Sequence, residues 1–175
     1  EELRDVSRAL DIAPSLGADI VKASWRRCLS DYGLDRAMRK PIERVGQAAV
    51  RDLRGQMENV LVESSPVIDR VRRIAADTGN VVLVSNSDGI VVTSFADSNA
   101  SQEVAREGLE TGSIWQEGRV GTNGIGTCLI SRQPITVYGG AHFNESFRHF
   151  TCSAAPIFGP DGRVIAAFDM SGRAV

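Results

Sequence analysis

Thr151-Cys-Ser-Ala-Ala-Pro-Ile-Phe-Gly-Pro-Asp-Gly-Arg-Val-Ile-Ala-Ala-Phe-Asp-Met170 is the stretch that decides the fold class. Residues 151–157 and 164–170 each read as a strand, and Gly159-Pro160-Asp161-Gly162 between them carries turn chemistry. Proline presets one turn dihedral, aspartate bonds its own backbone, and glycine accepts positive φ. The same pattern recurs upstream. Residues 81–84 and 90–92 are apolar runs joined by Asn86-Ser87-Asp88-Gly89, which predicts a β-hairpin. Residues 134–138 read as a further strand, 100–109 as a short helix, and 121–130 as a glycine-rich loop feeding a helix. Together these predict an α+β domain: a central antiparallel sheet of five or six strands, helices on one face, and an N-terminal helical extension.

The extension lies in residues 1–79, which hold 14 Lys/Arg and 13 Asp/Glu, against 6 and 9 in residues 80–175. Val21, Trp25, Cys28, Leu29 and Tyr32 recur at helical spacing, and Gly33 suits a helix stop. Pro41 suits the first turn of a second helix, whose apolar stripe is Ile42, Val45, Ala49, Leu53, Met57, Val60 and Leu61. At Ser65-Pro66 a new helix starts or the old one kinks. Val67, Val71, Ile74 and Ala75 then continue the stripe to Gly79. A narrow stripe flanked by both signs of charge suits packing on a domain and on a partner helix, or a helix lying flat on its own sheet. The division expected is 1–65 as helical leader and dimerisation region, and 66–175 as the α+β domain.

Composition narrows the function. A 175-residue chain that is 42% hydrophobic can build a real core, and a net charge of −2 provides no general attraction to nucleic acid or anionic membranes. No run approaches the about 18–20 apolar residues of a membrane span, and no secretory signal is visible. The chain opens at Glu1 without a methionine and is expected to be part of something longer. Cys28, Cys128 and Cys152 form no disulfide framework and read as reduced thiols of a cytoplasmic protein.

Catalytic and metal spacings are absent from the motifs. Gly121-Thr-Asn-Gly124-Ile-Gly126-Thr lacks the lysine of a phosphate loop, and Leu129 stands where a dinucleotide-binding glycine would be. Those glycines are expected to let backbone pass close to the sheet or to a ligand, with Thr122 and Asn123 turned toward a pocket. His142 and His149 pair with no metal-binding spacing, so a site built from them with Cys128 and Cys152 would need the fold to assemble it. A nucleophilic Cys152 would need a cationic neighbour such as Arg148 or His149. There is no GxSxG elbow, and Asp169 inside a strand reads as structural. No cofactor is expected. The aromatic residues Trp115, Tyr138, Phe143, Phe147, Phe150, Phe158 and Phe168 cluster in the second half, either as core or as the lining of a small-molecule pocket.

Trp115-Gln-Glu-Gly-Arg-Val-Gly-Thr-Asn-Gly-Ile-Gly-Thr-Cys-Leu129, with Gly140-Ala-His-Phe143, Phe150-Thr-Cys-Ser-Ala-Ala-Pro-Ile157 and Phe168-Asp-Met-Ser-Gly172, resembles the GAF sensor domain of acetoin-catabolism-activator-type regulators, a sigma-54-dependent, Fis-related group. Ala23-Ser-Trp-Arg-Arg-Cys-Leu-Ser-Asp-Tyr-Gly-Leu-Asp35 resembles the helical leader of that domain. The resemblance implies a GAF/PAS-like fold, no enzymatic activity, and a homodimer formed through the N-terminal helices. It also implies a small-molecule effector bound by Trp115, Thr122, Asn123, His142, Phe143, Phe150 and Cys152. Promoter DNA and sigma-54 polymerase would be met by an ATPase and a helix-turn-helix outside this chain. Ala141, where that group often carries glutamate, and Gly124 and Cys128, where it often carries alanine, depart from the pattern, so acetoin does not carry over as the effector. The readings set against a sensor are a thiol-based reductase using Cys152 and Cys128, a metal or haem redox sensor, and a pure dimerisation module.

Overall fold

The computed structural model describes residues 17–174. The first sixteen residues of the expected leader lie outside that part. Five antiparallel strands form one sheet: β1 (Val81–Asn86), β2 (Val91–Phe95), β3 (Ile135–Tyr138), β4 (Phe150–Phe158) and β5 (Val164–Arg173), in the order β2-β1-β5-β4-β3. Both predicted hairpins form. In the first, Asn86 Oδ1 accepts from the N–H groups of Asp88 (3.1 Å) and Ile90 (2.9 Å), and Gly89 takes φ +74°. In the second, the Gly162 N–H closes the turn on Gly159 O at 2.9 Å. The central strand β5 is held on both sides. It pairs with β1 from Val81↔Ser171 to Asn86↔Ala166 and with β4 from Phe150↔Arg173 to Phe158↔Val164.

Strand periodicity separates two cores. Val81, Leu83, Val91, Ile135, Val137, Phe150, Cys152, Ala154 and Ala167 point to one face. That face is covered by α1 (Ala18–Arg26), the four-residue α5 (Glu117–Val120), α6 (Gly124–Ser131) and the loops beside them. Val84, Val92 and Ala166 point to the other face, where Met57 and Ile68 close a smaller core. The helices there are α2 (Gln47–Gln56) and α3 (Glu58–Thr78). The helical leader is thus split: α1 is buried in the main core through Val21 and Trp25, and the turn after it through Cys28, while α2 and α3 pack on the opposite side. The short helix expected near residue 100 is α4 (Asn99–Ala105), started by a Ser98 capping box.

Two helix boundaries differ from expectation. No helix begins at Pro41; α2 starts at Gln47. The Ile114 N–H donates to Glu43 O and the Val45 N–H to Gly112 O, each at 2.9 Å, so residues 43–45 lie extended along 112–114. Backbone pairing across the fold overrides a local helix preference there. Nor does a helix start at Ser65-Pro66. The break comes at Met57, and α3 runs through Pro66 to Gly79, whose φ of +70° ends it. Position 65/66 therefore falls inside one continuous helix.

Candidate functional site

The seven expected site residues all lie in the layer between the sheet and its α1/α5/α6 cover, and all are buried. They form two connected groups. In the first, His142 Nε2 meets Cys152 Sγ at 3.4 Å. His142 Nδ1 lies 3.0 Å from Gly139 O, which can only accept, so Nδ1 carries the proton and Nε2 is left to accept from the thiol. Burial pushes the His142 pKa down to about 4, so the imidazole is neutral. Burial, with Asp169 nearby, pushes the Cys152 thiol far above its ordinary range, and burial pushes Cys128 up to about 12. A nucleophilic thiol needs the opposite shift. All three cysteines are free and buried. Among the described residues, no group of three or more His, Cys, Asp or Glu side chains is placed to hold a metal ion.

The second group joins the cover to α1. Phe143 meets the Trp25 ring edge-on at 5.3 Å, and Thr122 Oγ1 lies 2.7 Å from Ser24 Oγ. The Asn123 side chain is committed to backbone rather than to open space. Its Oδ1 caps α6 by accepting from the Gly126 N–H at 2.8 Å, and its Nδ2 donates to Gly121 O (2.8 Å) and Trp115 O (3.2 Å). Trp115 donates to Gly108 O at 2.9 Å and packs on Phe147, which stacks on Phe150. An open surface groove of about 350 Å³ lies elsewhere, lined by Arg44, Gln102, Arg106 and Thr111.

Several polar residues in this layer are not among the expected site residues, and one of them, Asp169, reads from sequence as structural. Asp169 is fully buried on β5; its Oδ2 accepts from the Ser171 hydroxyl at 2.5 Å, and its Oδ1 has no partner. Burial pushes its pKa up to about 7, against the Ser171 bond, which lowers it. Ser85 Oγ, two residues from Leu83 on the same strand, is also buried and unpartnered. The missing side chain of Gly124 is what admits Asp169: a Cβ there would lie 2.5 Å from Oδ1 and 2.8 Å from Cys152 Cβ. Glu117, Ser24 and Trp25 complete the buried set. Nothing local marks Glu117 as buried; its partners Ser24 and Arg27 are 93 and 90 positions away.

Comparison with known proteins agrees with this architecture. The family described as MimR, N-terminal domain, matches residues 4–175. The acetoin catabolism regulatory protein of Cupriavidus necator is 29% identical over 87% of this chain and 23% of its own length. The acetoin dehydrogenase operon transcriptional activator AcoR of Bacillus subtilis is 26% identical over 86% of this chain and 25% of its own. The propane 2-monooxygenase operon transcriptional activator MimR of Mycolicibacterium smegmatis is 27% identical over 97% and 29%. The chain thus spans about a quarter of the length of these curated relatives. In the crystal structure of the E. coli DhaR(N)–DhaL complex, a chain superposes with TM-score 0.80 at 16% identity, over 89% of this chain and 52% of that one. That likeness shows a shared GAF/PAS-like fold.

Proposed function

Since the chain belongs to the MimR N-terminal domain family, whose relatives are named as transcriptional activators, we propose that it receives the signal for such an activator by binding a small organic effector between the sheet and its cover. The observation that carries the reading is the pair of buried, unpartnered polar atoms on the covered face, Asp169 Oδ1 and Ser85 Oγ. Native interiors satisfy nearly all their polar groups, and the exceptions cluster where a ligand or ordered water completes the set. Trp115, Phe143, Phe150 and Cys152 belong to the same buried core layer, and His142 meets Cys152 within it, so aromatic and polar groups of the kind that line small-molecule sites are buried together there. The domain is a receiver rather than an enzyme, working in the cytoplasm. Its output passes to an ATPase that works with sigma-54 polymerase and to a promoter-binding helix-turn-helix, both outside this chain.

A thermal-shift screen of small organic metabolites tests this. A true effector at about 100 times its Kd adds about 2.7 kcal/mol, which raises Tm by roughly 5–10 °C for a domain of this size. Asp169→Leu is expected to abolish the shift. A full metabolite set that leaves Tm unmoved overturns the sensing role.

The dimer is proposed on α3. Val60, Ser64, Val67, Val71, Ile74 and Thr78 follow the alternating three-and-four spacing of a coiled-coil seam. Ile68 and Ala75 face the protein's own sheet, whereas Val67 (61%) and Ile74 (54%) stand exposed. A second copy would cover them. Sedimentation of the wild type should give a dimer, and Val67→Glu with Ile74→Glu should give a folded monomer; a monomeric wild type well above micromolar concentration refutes the seam.

A further inference from the structure

We propose that α1 is a gate over the buried layer, latched by Glu117, and that it swings locally while the sheet stays folded. The latch is a single polar hub. Arg27 at the helix end donates to both Glu117 oxygens, Nε to Oε1 at 2.7 Å and Nη2 to Oε2 at 3.0 Å. Ser24 Oγ donates to Oε2 at 2.6 Å. A hydroxyl has one proton, so the Thr122 hydroxyl, 2.7 Å away, must donate to Ser24. Thr127 Oγ1, 3.3 Å from Ser24, accepts from the Asn123 N–H at 3.2 Å and so ties the hub to the start of α6. At the next residue, Trp25 Nε1 donates to Ala141 O at 2.8 Å, on the loop that carries His142 and Phe143.

This arrangement has the properties of a latch. The Glu117 side chain is completely buried, while Arg27 keeps a quarter of its side-chain surface in solvent. Water therefore reaches the pair from the Arg27 side. On opening, both charges regain hydration, which offsets much of what is lost; apolar contact has no such compensation. Closed, the hub is satisfied in one geometry only, which makes the contact switch-like rather than gradual. The backbone beyond α1 widens to π-type bonding over Arg27–Asp31, with the Tyr32 N–H reaching back to Arg27 O at 2.9 Å. Such wide turns are rare and recur at functional sites. Behind the gate lie Cys28, in the turn that follows α1, and Cys152 on the sheet floor, both buried. The gate rests on the sensing reading only for what enters, not for its existence.

Those thiols report on the gate without any ligand. The experiment measures labelling of each cysteine by a thiol-reactive disulfide reagent, resolved by mass spectrometry, across low urea concentrations. The wild-type chain is expected to label Cys28 and Cys152 at rates nearly independent of urea, the signature of local opening. Ser24→Ala and Glu117→Gln should raise those rates about ten-fold or more, the scale of losing a charge-assisted hydrogen bond. Ile68→Ala, which weakens the opposite core, should leave the low-urea rates unchanged. Rates that follow the steep urea dependence of global unfolding in the wild type overturn the gate, even if the latch variants fail to fold. So does equal acceleration by Ile68→Ala. A failed effector screen would leave this result standing, and a missing gate would leave effector binding standing.

Discussion

His142→Gln and Asp169→Asn should give opposite pH profiles of stability. Burial holds the folded His142 pKa down to about 4, whereas an unfolded histidine titrates near 6.5. Its neutral form therefore stabilises the fold fully above about 6.5, and that contribution is lost as pH falls toward 4, amounting to about 3 kcal/mol. Asp169 runs the other way. Burial holds its folded pKa up to about 7 against an ordinary 3.8. Its contribution is complete below 3.8 and lost as pH rises to 7, by about 4 kcal/mol. In the intact chain the two windows nearly coincide and the terms offset each other. Asp169→Asn removes the second term, so stability should climb from pH 4 to 6.5 relative to the wild type. His142→Gln removes the first, so stability should fall from pH 4 to 7. Urea midpoints measured at pH steps, as differences from the wild type, check this. Two variants with the wild-type profile would show that neither group's pKa changes on folding.

A pair of glycine substitutions should separate just as widely. Gly126→Ala places a Cβ 2.4 Å from Trp115 O and 2.5 Å from the Glu117 nitrogen. Both are backbone atoms, and they belong to the segment that Asn123 ties down. Relief requires moving the start of α6, and with it the Glu117 hub. The expected cost is about 3 kcal/mol or more, at the upper end of overpacking. Gly55→Ala lies inside exposed α2 with nothing within 4 Å of the new methyl. It should stabilise by about 0.5–1 kcal/mol, because alanine favours helix and restricts the unfolded chain. Chemical denaturation of both variants reads the contrast. A tolerated Gly126→Ala would mean that α6 does not need its close approach to Trp115.

The strands were legible because their signals are local. The two hairpins carry Asn86-Ser-Asp-Gly89 and Gly159-Pro-Asp-Gly162, and both turns close as those residues dictate. The Pro41 helix was misread because its competitor, the 112–114 backbone, lies some seventy positions away. For the site, the aromatic residues and the His142/Cys152 neighbourhood drew attention through residue type. Asn123 was read as a pocket side chain, yet it spends its amide on capping α6 and holding the loop. Asp169 was read as structural, and Glu117, Ser24 and Trp25 went unnoticed as site residues.

Residue order by itself thus determined the strands, the turns and the α+β class, all of which depend on neighbours within a few positions. Tertiary structure alone decided that α1 closes the main core while α2 and α3 take the other face. It also decided that Glu117 and Asp169 are buried, the first fully partnered and the second only half so. The physical reason is that burial and desolvation depend on what the whole fold brings around a group. A carboxylate in a sequence looks the same whether water, Arg27 or the absent side chain of Gly124 will face it.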